Sequence, residues 1–494
     1  MRAPAALPLL AALCGCSGGS AANSSSGPDS GADATGVDAS LDSGSDAPVD
    51  AAPEPAGDAK TGADAGAPPD AATNADGGAP PFDAAADVSV AIPDGGIVHP
   101  CQLPGSVQFT SSGAVTLPGG SASWPTLSFL HLPVGFCAHY FGTVGNARQL
   151  RFAPGGEAFV ASPTASTTGG GPGGGNAVYI LPDGDLDGVA DGNVPYLLGA
   201  RSTQGVLFAG GYFYYQDGAT PTLIERVPYK PGDRAPSGPP EQVADITVYT
   251  SALHWPKTLD MADDGTLYVG NGGDQGETCD PAHPFHGGVL AIDPAPGPNP
   301  NGVPIAKGLR NPISIRCRRG SDTCFALELS KDYSASEGGR EKLIPIRKGD
   351  DWGFPCCATT NLPYTSSPAG TDCSKVTSDT NSFVIGDTPF GVDFEPGNWT
   401  GSWAGQAFVA THGAAGTWLG ARIVAIPMDA LTGLPLPSSD TSGGGMGMMD
   451  FATGWDDGTL SHGRPAVVTF APDGRLFVAS DTTGLIFWIA SLSQ

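Results

Sequence analysis

The feature that most constrains the fold of this chain is a short phrase that recurs along it. In LRFAPGGEAFVAS an apolar alternation leads to a glycine turn, and a second alternation follows. This is the pattern of two β-strands joined by a tight hairpin. Six stretches carry the phrase, three clearly and three more weakly: 150–162, 259–271 and 468–481, then 205–218, 313–328 and 392–413.

Repeated hairpins of this kind favour a closed architecture. A ring of similar sheets leaves only short, protected edge strands. We therefore predict an all-β fold, a six-bladed β-propeller, over residues 99–494. A pair of β-sandwiches is the alternative, and six copies of one phrase make it the weaker one.

The N-terminal segment is typical of an export signal. MRAPAALPLLAALCGCSGG has one arginine, a short apolar run and then small residues. Residues 13–16 resemble a bacterial lipobox, so we expect 1–15 to be a lipoprotein signal peptide and Cys16 to carry lipid. An ordinary signal with incidental cysteines is the alternative. Because Ser17 is not acidic, the expected location is the outer membrane, with membrane contact only through the lipid anchor.

The next segment has a different composition. Residues 17–98 are rich in Ala, Asp, Gly, Pro and Ser, and contain 14 acidic residues and one lysine. Such a segment cannot bury enough apolar area to offset chain entropy, so residues 16–98 are predicted to be a disordered tether. The rest of the chain is also acidic, which argues against nucleic acid as a partner.

Eight cysteines remain when Cys14 is removed with the signal and Cys16 carries the lipid. An even number in an exported protein favours four disulfides. Zinc is the competing interpretation, but no CxxC pair is present and the histidines lie far from the cysteines in sequence. Cys317 and Cys324 flank a predicted turn and are expected to pair, whereas the adjacent Cys356 and Cys357 are expected to reach different partners.

Several fragments in order resemble one known family. They are LPVGFCAHYFG, LHWPKTLDMADDGTLYVGNGGDQG, GLRNPISI, KGDDWGFPCC, FVATHG and HGRPAVVTFAPDGRLFVASD. Over residues 132–489 the chain resembles the soluble quinoprotein sugar dehydrogenases, which include aldose, sorbosone and pyranose dehydrogenases. The resemblance implies a six-bladed propeller that uses pyrroloquinoline quinone (PQQ) and calcium.

The resemblance also implies roles for two residues of GLRNPISI and for one histidine. Arg310 matches the arginine over the quinone carbonyls, and Asn311 matches its cofactor-binding neighbour. A planar guanidinium suits an acidic, planar ligand. His254 matches the general base, which is a role that suits imidazole because its pKa lies near neutrality. The alternatives are a solvent-facing Arg310 at an Asn-Pro turn and a structural His254.

Two further positions match the cofactor site, and others depart from the family. His412 and Arg464 correspond to a channel-facing histidine and to a carboxylate-binding arginine. Relatives often carry additional cations near the positions of Thr417 and Ala466, and a glutamine where this chain has Glu157. Fewer cations would weaken the binding of PQQ.

Calcium has two candidate places. The resemblance assigns an ion at the quinone to the loop that contains Asp332 and Glu341. Separately, the alternating carboxylates of DGDLDGVADG resemble the first half of an EF-hand loop, although no glutamate ends it. A plain acidic turn is the alternative there. The second set consists of Asp183, Asp185, Asp187 and Asp191.

Two functions are therefore carried forward. The first is an exported lipoprotein oxidoreductase that oxidises a sugar or a related alcohol with PQQ and calcium, and passes electrons to an acceptor the sequence does not identify. The second is a non-catalytic surface propeller that binds carbohydrate or protein.

Overall fold

The computed structural model describes residues 98–163, 174–175, 177–199, 202–218, 222–249, 254, 258–273, 278–280, 285, 287–295, 302–414, 417–439 and 447–493. The predicted signal peptide, Cys16 and the tether up to residue 97 lie outside the described residues. Within those ranges no helix is long and apolar enough to cross a membrane.

Almost all regular structure in these ranges is β-strand. Three strands precede the first blade: β1 (Val107–Thr110), β2 (Gly113–Thr116) and β3 (Phe136–Thr143). Blade 1 comprises β4 (Gln149–Phe152), β5 (Ala158–Ser162), β6 (Ala177–Leu181) and β7 (Val194–Leu198). Blade 2 comprises β8 (Val206–Ala209), β9 (Tyr212–Asp217), β10 (Leu223–Pro228) and β11 (Glu241–Asp245). Blade 3 comprises β12 (Leu259–Met261), β13 (Leu267–Asn271), β14 (Gly288–Ile292) and β15 (Val303–Lys307).

The later blades carry small additions. Blade 4 comprises β16 (Asn311–Cys317), β17 (Cys324–Leu329), β18 (Glu341–Pro345) and, after a side hairpin of β19 (Cys357–Thr359) and β20 (Leu362–Pro363), β21 (Asn381–Phe383). Blade 5 comprises β22 (Pro389–Phe394), β23 (Ala407–Thr411), β24 (Arg422–Ile426) and β26 (Met449–Ala452), while β25 (Ser438–Ser439) pairs in parallel with β21. Blade 6 begins with β27 (Pro465–Phe470), β28 (Leu476–Ser480) and β29 (Leu485–Ser491). Four short 3-10 helices lie at Pro100–Gln102, Thr247–Tyr249, Ser334–Glu337 and Gly401–Trp403.

The six sheets form a closed ring. The first strand of each blade contacts the first strand of the next, and β27 contacts β4. The last sheet joins the two ends of this domain, because β29 pairs with β3 and so completes blade 6. Each repeated phrase of the sequence forms the first two strands of one blade, which confirms the six-bladed propeller.

Apolar side chains fill the space between blades. Phe477 of blade 6 meets Phe152 of blade 1 edge to face, with ring centroids 4.9 Å apart. Such pairs are favoured because the positive ring edge faces a negative ring face. This packing fixes the innermost strands, so residues at their ends have defined positions around the central channel.

Four disulfides join the eight described cysteines, as the sequence predicted. Cys317 pairs with Cys324 across the hairpin of blade 4, and the other pairs are Cys101–Cys137, Cys279–Cys356 and Cys357–Cys373. The adjacent Cys356 and Cys357 do reach different partners. Their two bridges hold the long connection between β18 and β21, which we call the insertion (346–380).

Candidate active site

Three arginines occupy the same position in three blades. Arg148, Arg310 and Arg464 each lie one residue before the first strand of a blade, β4, β16 and β27 respectively. All first strands begin at the same end of the ring, so these arginines surround one opening of the channel, which we call the mouth. The sequence predicted two of them. It missed Arg148, although the register of the repeated phrase places all three at equivalent positions.

Two of these arginines belong to a buried group of charged and polar side chains. This mouth cluster comprises Arg148, His412, Arg464 and Asp481. Asp481 links its members: its carboxylate lies 3.2 Å from Nη2 of Arg148, 3.0 Å from Nε2 of His412 and 3.6 Å from Nε of Arg464. Asp481 follows β28 and His412 follows β23, so the ends of second strands complete what the starts of first strands provide.

The surroundings set the protonation of the cluster. Burial lowers the pKa of His412 to about 4, although Asp481 acts in the opposite direction. Burial would raise the pKa of Asp481, but His412, Arg148 and Arg464 together hold it below its usual range. At neutral pH the mouth cluster therefore has two cations, one anion and a neutral imidazole. Its excess positive charge suits an anionic ligand.

Buried polar atoms without a partner lie beside this charge. Both the indole Nε1 of Trp418 and the amide Oδ1 of Asn311 are buried. The Nε1–H donates no hydrogen bond, and the Oδ1 accepts none. The guanidinium carbon of Arg464 lies 4.3 Å from the centroid of the Trp418 ring. An unsatisfied buried donor is costly, which points to a missing acceptor. Guanidinium groups, an N–H donor and an aromatic ring fit a planar ligand with carboxylates, as PQQ is.

Arg310 is paired in this structure. Its Nη2 lies 2.5 Å from Oδ2 of Asp332, and its backbone N–H donates to Glu328. Only 11% of the Arg310 side chain is exposed, which argues against the solvent-facing alternative. Asp332 therefore pairs with Arg310.

Glu341 lies below the mouth, where it accepts a hydrogen bond from the backbone N–H of Thr388 at 2.6 Å. Burial raises the pKa of Glu341 to about 8, with smaller contributions from Asp387 and Glu328. Its neighbour Lys342 is 3.2 Å from Glu328. A carboxylic acid of this kind is protonated at neutral pH, which is unlike a calcium ligand unless the ion itself lowers the pKa.

His254 lies at the start of blade 3, facing the same end of the channel. It is buried, and its Nδ1 lies 3.0 Å from the carbonyl oxygen of Gly273. A carbonyl only accepts, so Nδ1 carries the proton and Nε2 has the lone pair. This is the tautomer that a general base needs. The flanking residues 251–253 and 255–257 lie outside the described residues.

Glu157 and Ala466, two of the three positions that depart from the family, have different outcomes. Glu157 lies in the turn between β4 and β5, at the opposite end of blade 1 from the mouth, and pairs with Arg234 at 2.6 Å. An acid near the cofactor site was expected at this position, and the structure instead places Glu157 away from the mouth. Ala466 does line the channel below the mouth. Arg148, from the neighbouring blade 1, supplies a cation close by.

Deeper in the channel a second group of buried charges crosses between blades. This channel cluster comprises Arg151, Asp260, Arg316 and Asp393. Arg316 binds Asp393 through two nitrogens at 2.7 and 2.8 Å, and its Nη1 lies 3.4 Å from Asp260. Between the two clusters is a cavity of about 20 Å³, enough for one water molecule. A tricyclic quinone does not fit there, so any such ligand must bind above it, at the mouth.

The acidic loop of blade 1 lies at the end of the channel opposite the mouth. The carboxylates of Asp183, Asp185 and Asp187 come within 4.8 Å of one another. Asp191, which was predicted with them, instead accepts from the backbone N–H of Gly184. Burial raises the pKa of Asp183 to about 6. Any ion here would have a structural role, because the loop connects β6 and β7 far from the mouth.

No family model matches the sequence, and no curated protein matches it significantly. Solved structures do resemble it. One is a calcium structure of a Carbohydrate-Active Enzymes Family AA12 protein from Trichoderma reesei, with a TM-score of 0.60 and 19% identity over 75% of this chain and 98% of that one. Two more are a glucose dehydrogenase (TM-score 0.52, 12% identity, 72% of this chain and 99% of that one) and the soluble aldose sugar dehydrogenase of Escherichia coli in its apo form (TM-score 0.51, 13% identity, 72% and 99%). At these identities the similarity establishes the fold, and this chain has the six-bladed propeller fold of the sugar dehydrogenases.

Proposed function

We propose that this chain is an exported oxidoreductase that oxidises a sugar or a related alcohol with PQQ and calcium. The observation that supports it best is the convergence of Arg148, Arg310 and Arg464 at one mouth of a protein whose formal net charge is −27. Surface solubility does not require guanidinium groups at equivalent positions of three blades, two of them buried and the third only 11% exposed.

The residues of the mouth divide into two roles in this proposal. Arg148 and Arg464 bind carboxylates of the cofactor, and Trp418 donates its unsatisfied N–H. Arg310 and Asn311 lie at the start of blade 4, on the other side of the opening, and would bind the quinone end of the cofactor. PQQ, when bound, supplies the acceptor for the two electrons that leave the substrate.

His254 is the proposed general base. Its Nδ1–H is fixed by the carbonyl of Gly273, so Nε2 takes the proton from the hydroxyl group on the carbon that is oxidised. The carbonyl of Gly273 holds the imidazole ring in one orientation. This lowers the entropic cost of aligning the base with the substrate.

In this proposal calcium binds at the mouth. The side chain of Asp332 is 61% exposed there, and the buried Glu341 lies below the mouth. The Trichoderma reesei neighbour was solved as a calcium structure, which supports a role for this ion. A second ion at Asp183, Asp185 and Asp187 would be structural, since that loop is remote from the mouth.

Export is part of the same proposal. Four disulfides are typical of proteins that fold outside the reducing cytosol. Lipidation at Cys16 and an outer-membrane location remain proposals based on the N-terminal sequence.

The competing function is a non-catalytic propeller that binds carbohydrate or protein. Two observations favour it: Asp332 already neutralises Arg310, and Ala466 stands where relatives often have a cation. A fold shared at low identity does not decide between them.

The test compares His254→Gln with wild type and with His131→Gln, a control whose side chain is exposed. Purified protein is titrated with PQQ in the presence of calcium, and both the visible spectrum and sugar-dependent dye reduction are recorded. We expect His254→Gln to bind PQQ as wild type does, and to lose about 10²–10⁴-fold in rate, which is the usual contribution of a general base.

Two results would change the assignment. If His254→Gln keeps full activity, the base lies elsewhere. If wild-type protein with calcium and excess PQQ shows neither a bound-cofactor spectrum nor dye reduction with any sugar, the enzyme proposal fails and the binding module takes its place.

A further inference from the structure

Tyr333 is the most exposed aromatic side chain among the described residues. It is 95% exposed, and every other exposed large apolar side chain in those ranges is aliphatic. An aromatic ring in water forgoes the burial that usually stabilises it. Its backbone is also unusual, with φ 58° and ψ 12°, the left-handed region that non-glycine residues rarely occupy. Such residues persist only where the surroundings enforce them, and they cluster at functional sites.

The ring lies at the rim of the mouth. Tyr333 follows Asp332, whose carboxylate binds Arg310, and Arg310 begins blade 4 at the mouth. The connection between β17 and β18 that carries both residues therefore borders the candidate active site. An exposed apolar ring and an exposed carboxylate stand side by side there.

The insertion holds the connection between β17 and β18 in place. Lys331 donates to the hydroxyl of Ser366 at 2.7 Å, and its ammonium lies 4.7 Å from the centroid of the Tyr364 ring. On the other side of Tyr333, Glu337 accepts two hydrogen bonds from Thr365, at 3.0 and 2.8 Å.

The insertion is itself fixed in place. Cys279–Cys356 ties it to the loop after β13 of blade 3, and Cys357–Cys373 closes it on itself. Disulfides, ionic contacts and hydrogen bonds thus hold Tyr333 exposed before any ligand arrives. Preorganisation of this kind lowers the entropic cost of binding.

We propose that Tyr333 is a positioning residue that receives the ring of a pyranose substrate. One face of a pyranose presents axial C–H groups and is apolar, so it packs on an aromatic ring, while the hydroxyl groups at its edge donate to the carboxylate of Asp332. This extends the proposed function, on which it rests, and narrows the substrate class. A linear polyol has no such face and would gain little from the tyrosine.

The test uses apoprotein and holoprotein in parallel. Saturation-transfer difference NMR on apoprotein reports direct contact with D-glucose, D-galactose and D-xylose, with sorbitol as the linear comparison. Steady-state kinetics with added PQQ and calcium then separate KM from kcat. The variants are Tyr333→Ala, Tyr333→Phe, and Leu431→Ala as a matched control, since Leu431 is 97% exposed on a blade 5 turn.

We expect Tyr333→Ala to lose the NMR signal of the bound pyranose and to raise KM about tenfold, the size of an aromatic contact, with kcat little changed. Tyr333→Phe keeps the ring and should behave as wild type, as should Leu431→Ala. Equal KM values for wild type and Tyr333→Ala in an active enzyme would overturn this inference while leaving the proposed function intact. Pyranose binding without any oxidation would support Tyr333 and remove the enzyme proposal. A wild-type protein that neither binds nor oxidises a pyranose would overturn both.

Discussion

The mouth cluster and the channel cluster are both buried groups of charged side chains at the central channel, yet they differ in the balance of their charges. In the channel cluster Arg151 and Arg316 face Asp260 and Asp393, so two cations meet two anions. Asp393 also accepts from the backbone N–H of Phe470. These contacts join blades 1, 3, 4, 5 and 6.

The mouth cluster is not balanced in this way. Arg148 and Arg464 share the single carboxylate of Asp481, since burial keeps His412 neutral. Trp418 beside them has a buried N–H without an acceptor. A balanced cluster is a device of the fold, although Nε of Arg151 has no hydrogen-bond partner in it. An unbalanced one retains capacity for an anion, and this difference supports our proposal that the mouth is the site.

Removal of a charge from the channel cluster should have the largest effect. Asp393→Asn leaves the guanidinium of Arg316 buried against a neutral amide, and breaking a buried pair in this way costs about 3–5 kcal/mol. Urea unfolding of the purified protein measures it. The control is Asp450→Asn, an outer ion pair with Arg422 in which 64% of the aspartate side chain is exposed, where we expect at most about 1 kcal/mol. Equal losses for the two variants would remove the structural role given to the channel cluster.

A substitution in the mouth cluster should act on binding instead. Arg464→Met keeps most of the side-chain volume and removes one of two neighbouring cations, so unfolding should change little. Cofactor affinity should fall about 10- to 150-fold, because a hydrogen bond to a charged group contributes roughly 1.5–3 kcal/mol. Titration with PQQ, monitored by its visible spectrum, gives the affinity, and Arg422→Met on blade 5 is the control. A variant that unfolds readily but binds PQQ as wild type does would reverse the roles of the two clusters.

The sequence predicted the blades better than it predicted the site. The repeated phrase contains the alternating apolar residues of two strands and the turn between them. Each of its six copies forms the first two strands of a blade, so the local pattern predicts the blade directly. The pairing of Cys317 with Cys324 was predictable for the same reason, since both lie in one hairpin.

The contacts of the site depend on which blades meet around the ring, and no local pattern contains that information. Asp481 joins Arg148 although more than 300 positions separate them, because the last blade closes beside the first. Arg148 was missed because it lacks a recognisable motif, and the pairing of Asp332 with Arg310 was missed because it spans two separate loops. An alignment of the six copies at the residue before each first strand would have found Arg148.

The smallest expected effect is a difference in how the two clusters make the stability of the protein depend on pH. His412 has its pKa lowered to about 4 in the folded protein, against 6.5 for an ordinary histidine, so the unfolded chain takes up the proton first. This contribution to stability is complete above pH 6.5 and is lost as the pH falls from 6.5 towards 4. Glu341 acts in the opposite sense. Its raised pKa means that folding favours the protonated acid, and this contribution to stability is lost as the pH rises towards 8.

The informative quantity is therefore the difference between wild type and His412→Asn, measured as the urea midpoint at intervals from pH 7 to pH 4. The wild type should lose more stability than the variant over that range, whereas Asp393→Asn, in a cluster that contains no histidine, should leave the pH dependence of the wild type unchanged. Parallel curves for wild type and His412→Asn would mean that folding does not shift the pKa of His412, and the imidazole of the mouth cluster would then take up a proton as readily as an ordinary histidine.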